Sequence, residues 1–309
     1  MNDRRTFLKV LGAAAGAAVH AGTADASQGY QSPGQRAQTT IKKSTLISML
    51  PRERSYAERF ALAREAGFEA IEMGTITVPE QAAEIREAAQ KTGLRIHSVM
   101  NAEHWRLPLS SSDPDVVNRS VQGMETSLKN AALWGADAVL LVPAVVDAKT
   151  SYKDAWTRSQ QVIRERLIPV ARDQKVVIAV EEVWNKFLLS PIEFARYVDD
   201  FQSPWVRAYF DVGNVVFYGF PQDWIRTLGP RIVKIHLKDF SLDRQKGSFT
   251  WKNLGEGEID WPEVRRALQE INYSGYVTTE VGGGDGSAAY FKDLSSRIDR
   301  FLAGEKPIT

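Results

Sequence analysis

From residue 41 onward, short continuous apolar runs alternate with longer stretches whose apolar residues recur at helical spacing. The runs at 45–50, 68–73, 94–99, 138–142, 176–180, 206–210, 232–235 and 275–279 read as strands. Between them, 56–66 carries Phe60, Ala63 and Ala66 as a helical stripe, and Gly67 stops it. Pro79 opens a helix that Gly93 closes, and further helices are expected at 114–134, 152–172 and 290–302. The segment 100–113 is a long loop. Strands that are apolar throughout, separated by helices, predict a parallel sheet covered on both faces. Eight such units predict an α/β fold, a single (β/α)8 TIM barrel over 41–305. No GxGxxG follows the first strand, which argues against an open dinucleotide-binding sheet.

In a barrel of this kind the chemistry sits where the strands end at their C-terminal side. Here the fifth strand ends in Glu181-Glu182, the sixth in Asp211, the seventh in His236 and the eighth in Glu280. Each has an ordinary explanation by itself: Asp211 as a helix cap, His236 as a hydrogen-bonded core residue, Glu280 as a loop carboxylate. Four successive strand ends change the argument. Carboxylates converging on one mouth repel each other unless a cation neutralises them. The expectation is therefore one divalent metal ion on oxygen-rich ligands and an imidazole, with Mn2+ or Mg2+ more natural than Zn2+, and Co2+ also compatible. His104, Trp105, Trp184 and Lys238 surround the expected mouth as sugar-binding candidates. Either tryptophan equally suits a loop-anchoring role.

The strings Val-Glu-Glu-Val-Trp-Asn-Lys-Phe-Leu-Leu-Ser-Pro (180–191), Tyr-Phe-Asp-Val-Gly-Asn (209–214), Ile-His-Leu-Lys-Asp (235–239), Gly-Glu-Gly-Glu-Ile-Asp-Trp (255–261) and Thr-Glu-Val-Gly-Gly (279–283) resemble the xylose isomerase-like barrel superfamily. Its sugar isomerases and 3-epimerases are the group most similar to it. The resemblance covers about residues 41–303. It implies that Glu181, Asp211, His236 and Glu280 hold one metal, with Glu182 as the alternative to Glu181. It also implies that Glu181 and Glu280 act as catalytic acid and base on opposite faces of a sugar, through an enediolate. The ketose 3-epimerases carry a histidine where this chain has Asn214, so the hydrogen bonding of the substrate is expected to differ there. Related apurinic-site endonucleases use three zinc ions on several histidines. Beyond residue 26 this chain offers only His97, His104 and His236.

Composition refines this picture. With 39 basic and 38 acidic residues and no basic block, the chain gives no support for a nucleic-acid partner. The absence of cysteine excludes disulfides, thiolate ligands and a cysteine nucleophile. Asp3-Arg4-Arg5-Thr6-Phe7-Leu8-Lys9, an Ala- and Gly-rich apolar run to Val19, and Ala24-Asp25-Ala26 have the order of an export signal. Residues 1–26 are read as a twin-arginine signal peptide, delivering a periplasmic protein through the twin-arginine export machinery. The apolar run is too short for a stable membrane span. Residues 27–40 are read as a disordered linker. Export points to an unphosphorylated sugar. It also keeps open a 3-keto-glycoside lyase or hydrolase using the same α-proton removal, and a non-catalytic metal-dependent sugar-binding protein.

Overall fold

The computed structural model describes residues 40–308 except Arg244 and Gly283. The signal-peptide reading, and the linker reading up to residue 39, lie outside the described residues. Ten strands lie among those residues: β1 (Ile41–Leu46), β2 (Ala70–Gly74), β3 (Arg95–Met100), β4 (Ala138–Leu141), β5 (Val177–Glu181), β6 (Val206–Asp211), β7 (Ile232–Leu237), β8 (Asp239–Asp243), β9 (Ser248–Lys252) and β10 (Gly275–Thr279). Eight of them close a barrel in the order β1-β10-β7-β6-β5-β4-β3-β2, all paired in parallel. The predicted barrel is thus the observed one.

The helices are α1 (Tyr56–Glu65), α2 (Pro79–Thr92), α3 (Pro114–Trp134), α4 (Tyr152–Val162), α5 (Ile168–Gln174), α6 (Pro191–Asp199), α7 (Pro221–Leu228), α8 (Trp261–Glu270) and α9 (Ala288–Leu302). Their starts follow local chemistry. Ser55 and Glu58 form a reciprocal capping box on α1, while α2, α3, α6, α7 and α8 place proline in the first turn, where its missing N–H costs nothing. Gly93 and Gly135 end α2 and α3 in the left-handed conformation that a side chain would penalise.

Alternation within each strand sorts side chains into two layers. Residues such as Val139, Leu141, Ile178, Val180 and Phe210 face the helices in the main core, whereas Ala138, Leu140, Ala179 and Tyr209 face the barrel axis. The inward phase of β5 runs Ala179 to Glu181. The inward phase of β6 runs Tyr209 to Asp211.

Three expectations are corrected. The first strand is Ile41–Leu46 rather than 45–50, because Ile47–Met49 turns as a 3-10 helix across the barrel end, its Ile47 carbonyl held by the Arg59 guanidinium. The helix expected at 152–172 is interrupted by a π-helical turn at Ile163–Leu167, where Pro169 supplies no N–H to continue the regular ladder. Finally, β8 and β9 form an antiparallel hairpin after β7 that the run-based reading passes over.

Candidate active site and metal centre

β5, β6, β7 and β10 are consecutive around the barrel, so their ends present Glu181, Asp211, His236 and Glu280 as one row. One ligand atom from each residue lies within 4.8 Å of the others. His236 Nδ1 is 2.8 Å from Glu181 Oε1, 2.9 Å from Glu280 Oε2 and 3.8 Å from Asp211 Oδ2. Glu181, Asp211 and His236 are buried, and Glu280 is partly open to the mouth. Glu181 and Glu280 stand at the two ends of the row, with Asp211 and His236 between them.

Glu181 and Glu182 are separated by side-chain phase. Glu181 shares the inward phase of Ala179 and joins the cluster, whereas Glu182 turns aside and its Oε1 accepts the Asp211 backbone N–H at 2.9 Å. Burial, followed by the charges of Glu181 and Asp211, raises the Glu182 carboxyl well above the usual carboxylate range. Its place is structural: it ties the end of β5 to β6.

The turn after β6 builds the rest of the site. Asp211 Oδ1 accepts the backbone N–H groups of Gly213 and Asn214, both at 2.8 Å, which leaves Oδ2 directed at the cluster. Gly213 is required by a close approach, since a Cβ there would lie 2.5 Å from Lys238 Cβ. That approach lets Lys238 Nζ reach Asp211 Oδ2 at 2.9 Å, Glu280 Oε2 at 3.0 Å and Asn214 Oδ1 at 3.4 Å. The Asn214 side-chain amide also donates to the Glu182 backbone carbonyl at 3.0 Å, and the Asn214 backbone carbonyl accepts from Trp184 Nε1 at 2.9 Å. Asn214, Lys238 and Trp184 therefore adjoin the cluster.

His104 and Trp105 are placed differently. His104 is buried and its Nδ1 accepts the Val142 backbone N–H at 3.4 Å, so one ring nitrogen serves the loop after β4. Trp105 lies edge-on to His104 with 51% of its surface exposed. Among the described residues no hydrogen bond or ion pair joins either of them to the four-residue cluster.

Glu72 is the residue that strand-end reasoning misses. It lies in the middle of β2, fully buried, and its Oε2 faces His236 Nε2 at 3.2 Å while accepting a hydrogen bond from the Tyr209 hydroxyl. A carboxylate on the far nitrogen favours the Nε2–H tautomer and leaves the Nδ1 lone pair aimed at the cluster. The signal was present in the sequence: a glutamate flanked by apolar residues in Ala-Ile-Glu-Met-Gly, a position that is costly to bury without a partner.

The electrostatics suit a cation. Glu181, Asp211 and Glu280 crowd around Lys238 and His236, while Glu72 faces His236 and also feels Lys234. Burial pushes Glu181 up to about 7 despite the pull of His236 and Lys238. Burial acts on Glu280 in the same sense, but Lys238 and His236 outweigh it and hold that carboxyl down to about 2. Burial opposes the charged form of His236, yet Glu72, Glu280 and Glu181 raise it well above its ordinary value. Asp211 Oδ2 and Glu280 Oε2 are buried with ion-pair contacts to Lys238 but no hydrogen bond of good geometry. Three carboxylates and one imidazole, converging with acceptor atoms left over, make a donor set that fits a divalent ion.

Comparison with known proteins shows the family to which the fold belongs. The family model described as the xylose isomerase-like TIM barrel matches residues 60–299. SgbU of Escherichia coli strain K12 is 29% identical over 248 residues, covering 75% of this chain and 85% of that protein. The L-ribulose-5-phosphate 3-epimerase UlaE of Escherichia coli O1:K1 is 26% identical over 246 residues, covering 75% of this chain and 84% of its own. Among solved structures, an L-ribulose 3-epimerase superposes with a TM-score of 0.71 at 18% identity, over 85% of this chain and 95% of that one.

Proposed function

This chain belongs to the xylose isomerase-like TIM-barrel family, and from that premise we propose that it is a metal-dependent sugar epimerase acting on an unphosphorylated sugar. The observation that carries the reading is the convergence of Glu181, Asp211, His236 and Glu280 from four adjacent strands onto one point. The similarity to an L-ribulose-5-phosphate 3-epimerase supports the reaction class. Those four residues would hold the ion, with Mn2+ the natural choice for oxygen-rich ligands and one imidazole. Bound there, a divalent cation supplies Lewis-acid stabilisation of the negative charge that develops on the carbonyl oxygen of the sugar.

The protein groups do the proton work. Glu181 and Glu280 close the two ends of the row, so a sugar lying across it meets one carboxylate on each face. One carboxylate takes the proton from the carbon beside the carbonyl, and the C–H electron pair moves into the enediolate. The other returns a proton to the opposite face of the same carbon, inverting it, and the two carboxylates end with exchanged protonation. Lys238, within 3.0 Å of both Asp211 and Glu280, is placed to steady charge on a substrate oxygen. Asn214 Oδ1 and the Trp184 ring complete the wall beside it.

The preference for a free sugar comes from the N-terminal segment, which we propose is a twin-arginine signal peptide that sends the barrel to the periplasm. Phosphorylated sugars are mostly cytosolic. No helix among the described residues is long and apolar enough to cross a membrane.

Proton NMR in deuterated water, with the Mn2+-loaded protein and a panel of free ketoses, tests the reaction. The expected result is deuterium at the carbon beside the carbonyl together with the epimeric sugar. Release of an aglycone from 3-keto-glycosides with free sugars inert would replace epimerisation by elimination. Metal-dependent sugar binding without any exchange would replace catalysis by binding.

A further inference from the structure

The hairpin of β8 and β9 carries an aromatic surface that the chemistry at the row of carboxylates does not use. Phe249 and Trp251 are two residues apart on β9 and so share one face, paired in register with Leu242 and Phe240 on β8. That face leans on Trp184. Trp251 stacks on the Trp184 ring at 5.0 Å and 20°, Phe249 meets its edge at 4.7 Å, and Phe217 tilts against it at 5.7 Å.

A hairpin needs some apolar packing of its own, and fully buried Phe240 provides it. Phe217, Phe249 and Trp251 go further: they remain 48%, 45% and 45% exposed. Large aromatic side chains left together in water mark a binding surface rather than a core. The surface is continuous with the active site, because Lys238 Nζ lies 5.7 Å from the Trp251 ring centre while contacting Asp211 and Glu280. Trp184 is anchored to the same turn through Asn214.

We propose that this aromatic wall is a second sugar subsite, which takes the ring attached to the reacting sugar, so that the preferred substrate is a ketose-ended disaccharide or related glycoside. This rests on the epimerase reading for the identity of the first subsite. The chemistry is that of a pyranose: one face is a patch of C–H groups that stacks on indole or phenyl, while its hydroxyl edge stays in water. A disaccharide extending from the carboxylate row past Lys238 places its second ring over Trp251.

The test measures binding of D-fructose, lactulose and isomaltulose to the Mn2+-loaded protein by calorimetry, for the wild type, Trp251→Ala and Phe249→Ala. Proton exchange is followed on the same samples, and thermal melting checks each variant for folding. The expectation is that at least one disaccharide binds the wild type about tenfold more tightly than D-fructose, a difference of ~1.4 kcal/mol. That ratio should fall towards one in Trp251→Ala. Equal affinity for mono- and disaccharide in the wild type, or an advantage that survives both substitutions, would overturn the subsite. So would sedimentation showing the wall covered by a second copy of the chain. Disaccharide preference without any proton exchange would leave the subsite standing and remove the epimerase; exchange on D-fructose without disaccharide preference would do the reverse.

Discussion

Replacing Glu72 by glutamine keeps the shape of a buried side chain but removes the charge that faces His236 Nε2. The imidazole then loses the partner that fixes its tautomer and strengthens its Nδ1 lone pair. Glu72→Gln is expected to weaken Mn2+ binding by about tenfold or more, as second-sphere changes do, measured by calorimetry on stripped protein. Tyr209→Phe, which removes the hydroxyl donating to the same oxygen, should act in the same direction but less strongly. Glu280→Gln is expected to abolish proton exchange while retaining some metal, because Glu181, Asp211 and His236 remain; unchanged exchange would remove Glu280 from the mechanism. At this scale the sequence disclosed the four converging residues, since each directly follows an apolar run: Glu181, Asp211 and His236 at the ends of β5, β6 and β7, and Glu280 just past β10. It left Glu181 and Glu182 unresolved because a doublet at a strand end has one member in each phase. It marked Glu72 only as a glutamate inside an apolar run; its partners, on β6 and β7 far away in the chain, are visible only in the fold. His104 and Trp105 were selected by residue type; the Val142 N–H ties His104 to the loop after β4, and the charge of Glu280 reaches its ring.

The hairpin of β8 and β9 depends on a tight crossing. Buried Asp239 takes the Gly255 N–H at 2.7 Å and the Trp261 indole N–H at 2.9 Å, which ties the hairpin base to α8. A Cβ on Gly257 would come within 2.0 Å of Asp239 Oδ1 and 2.5 Å of the Phe240 carbonyl. Gly257→Ala must therefore move backbone, and a loss of about 1–3 kcal/mol in urea unfolding is expected. An unchanged midpoint would contradict the crossing. β4 and β5 were legible because their apolar runs are unbroken, whereas β2 and β3 were recognised although Glu72 and His97 interrupt theirs. The hairpin was not, since its signal is alternation, with Phe240 and Leu242 on one strand and Phe249 and Trp251 on the other separated by polar residues. The 3-10 turn at Ile47–Met49 extends the apolar run of β1 and so displaced the expected strand by four residues at each end. The π-helical turn before Pro169 has the same apolar period as the helix on either side and leaves no mark beyond the proline.

Taken whole, the barrel buries ionisable groups along its axis, and this makes its stability depend on pH. Burial lowers His104 to about 4 and lowers His97 well below its ordinary value, so both are neutral in the folded chain. Between the unfolded value near 6.5 and about 4, the unfolded chain binds the proton that folded His104 refuses. The His104 contribution is thus full above about pH 7 and falls as pH drops through that window, by roughly 2–3 kcal/mol at pH 4.5, while the raised carboxyls of Glu181 and Glu182 act in the opposite sense. Urea unfolding of wild type and His104→Gln at pH 7 and pH 4.5 isolates this contribution: the variant should lose less stability, or gain more, than the wild type between the two, and identical changes would contradict it. The opposite charge logic governs the mouth, where Glu181, Asp211 and Glu280 converge on Lys238 and His236 and a bound cation should stabilise the fold by mass action. The most direct measurement is calorimetric titration of Mn2+ into EDTA-stripped protein, beside Asp211→Ala. One site per chain, lost in the variant, is the predicted result. A wild type that takes up no ion, or an Asp211→Ala protein that binds it equally well, would contradict the account.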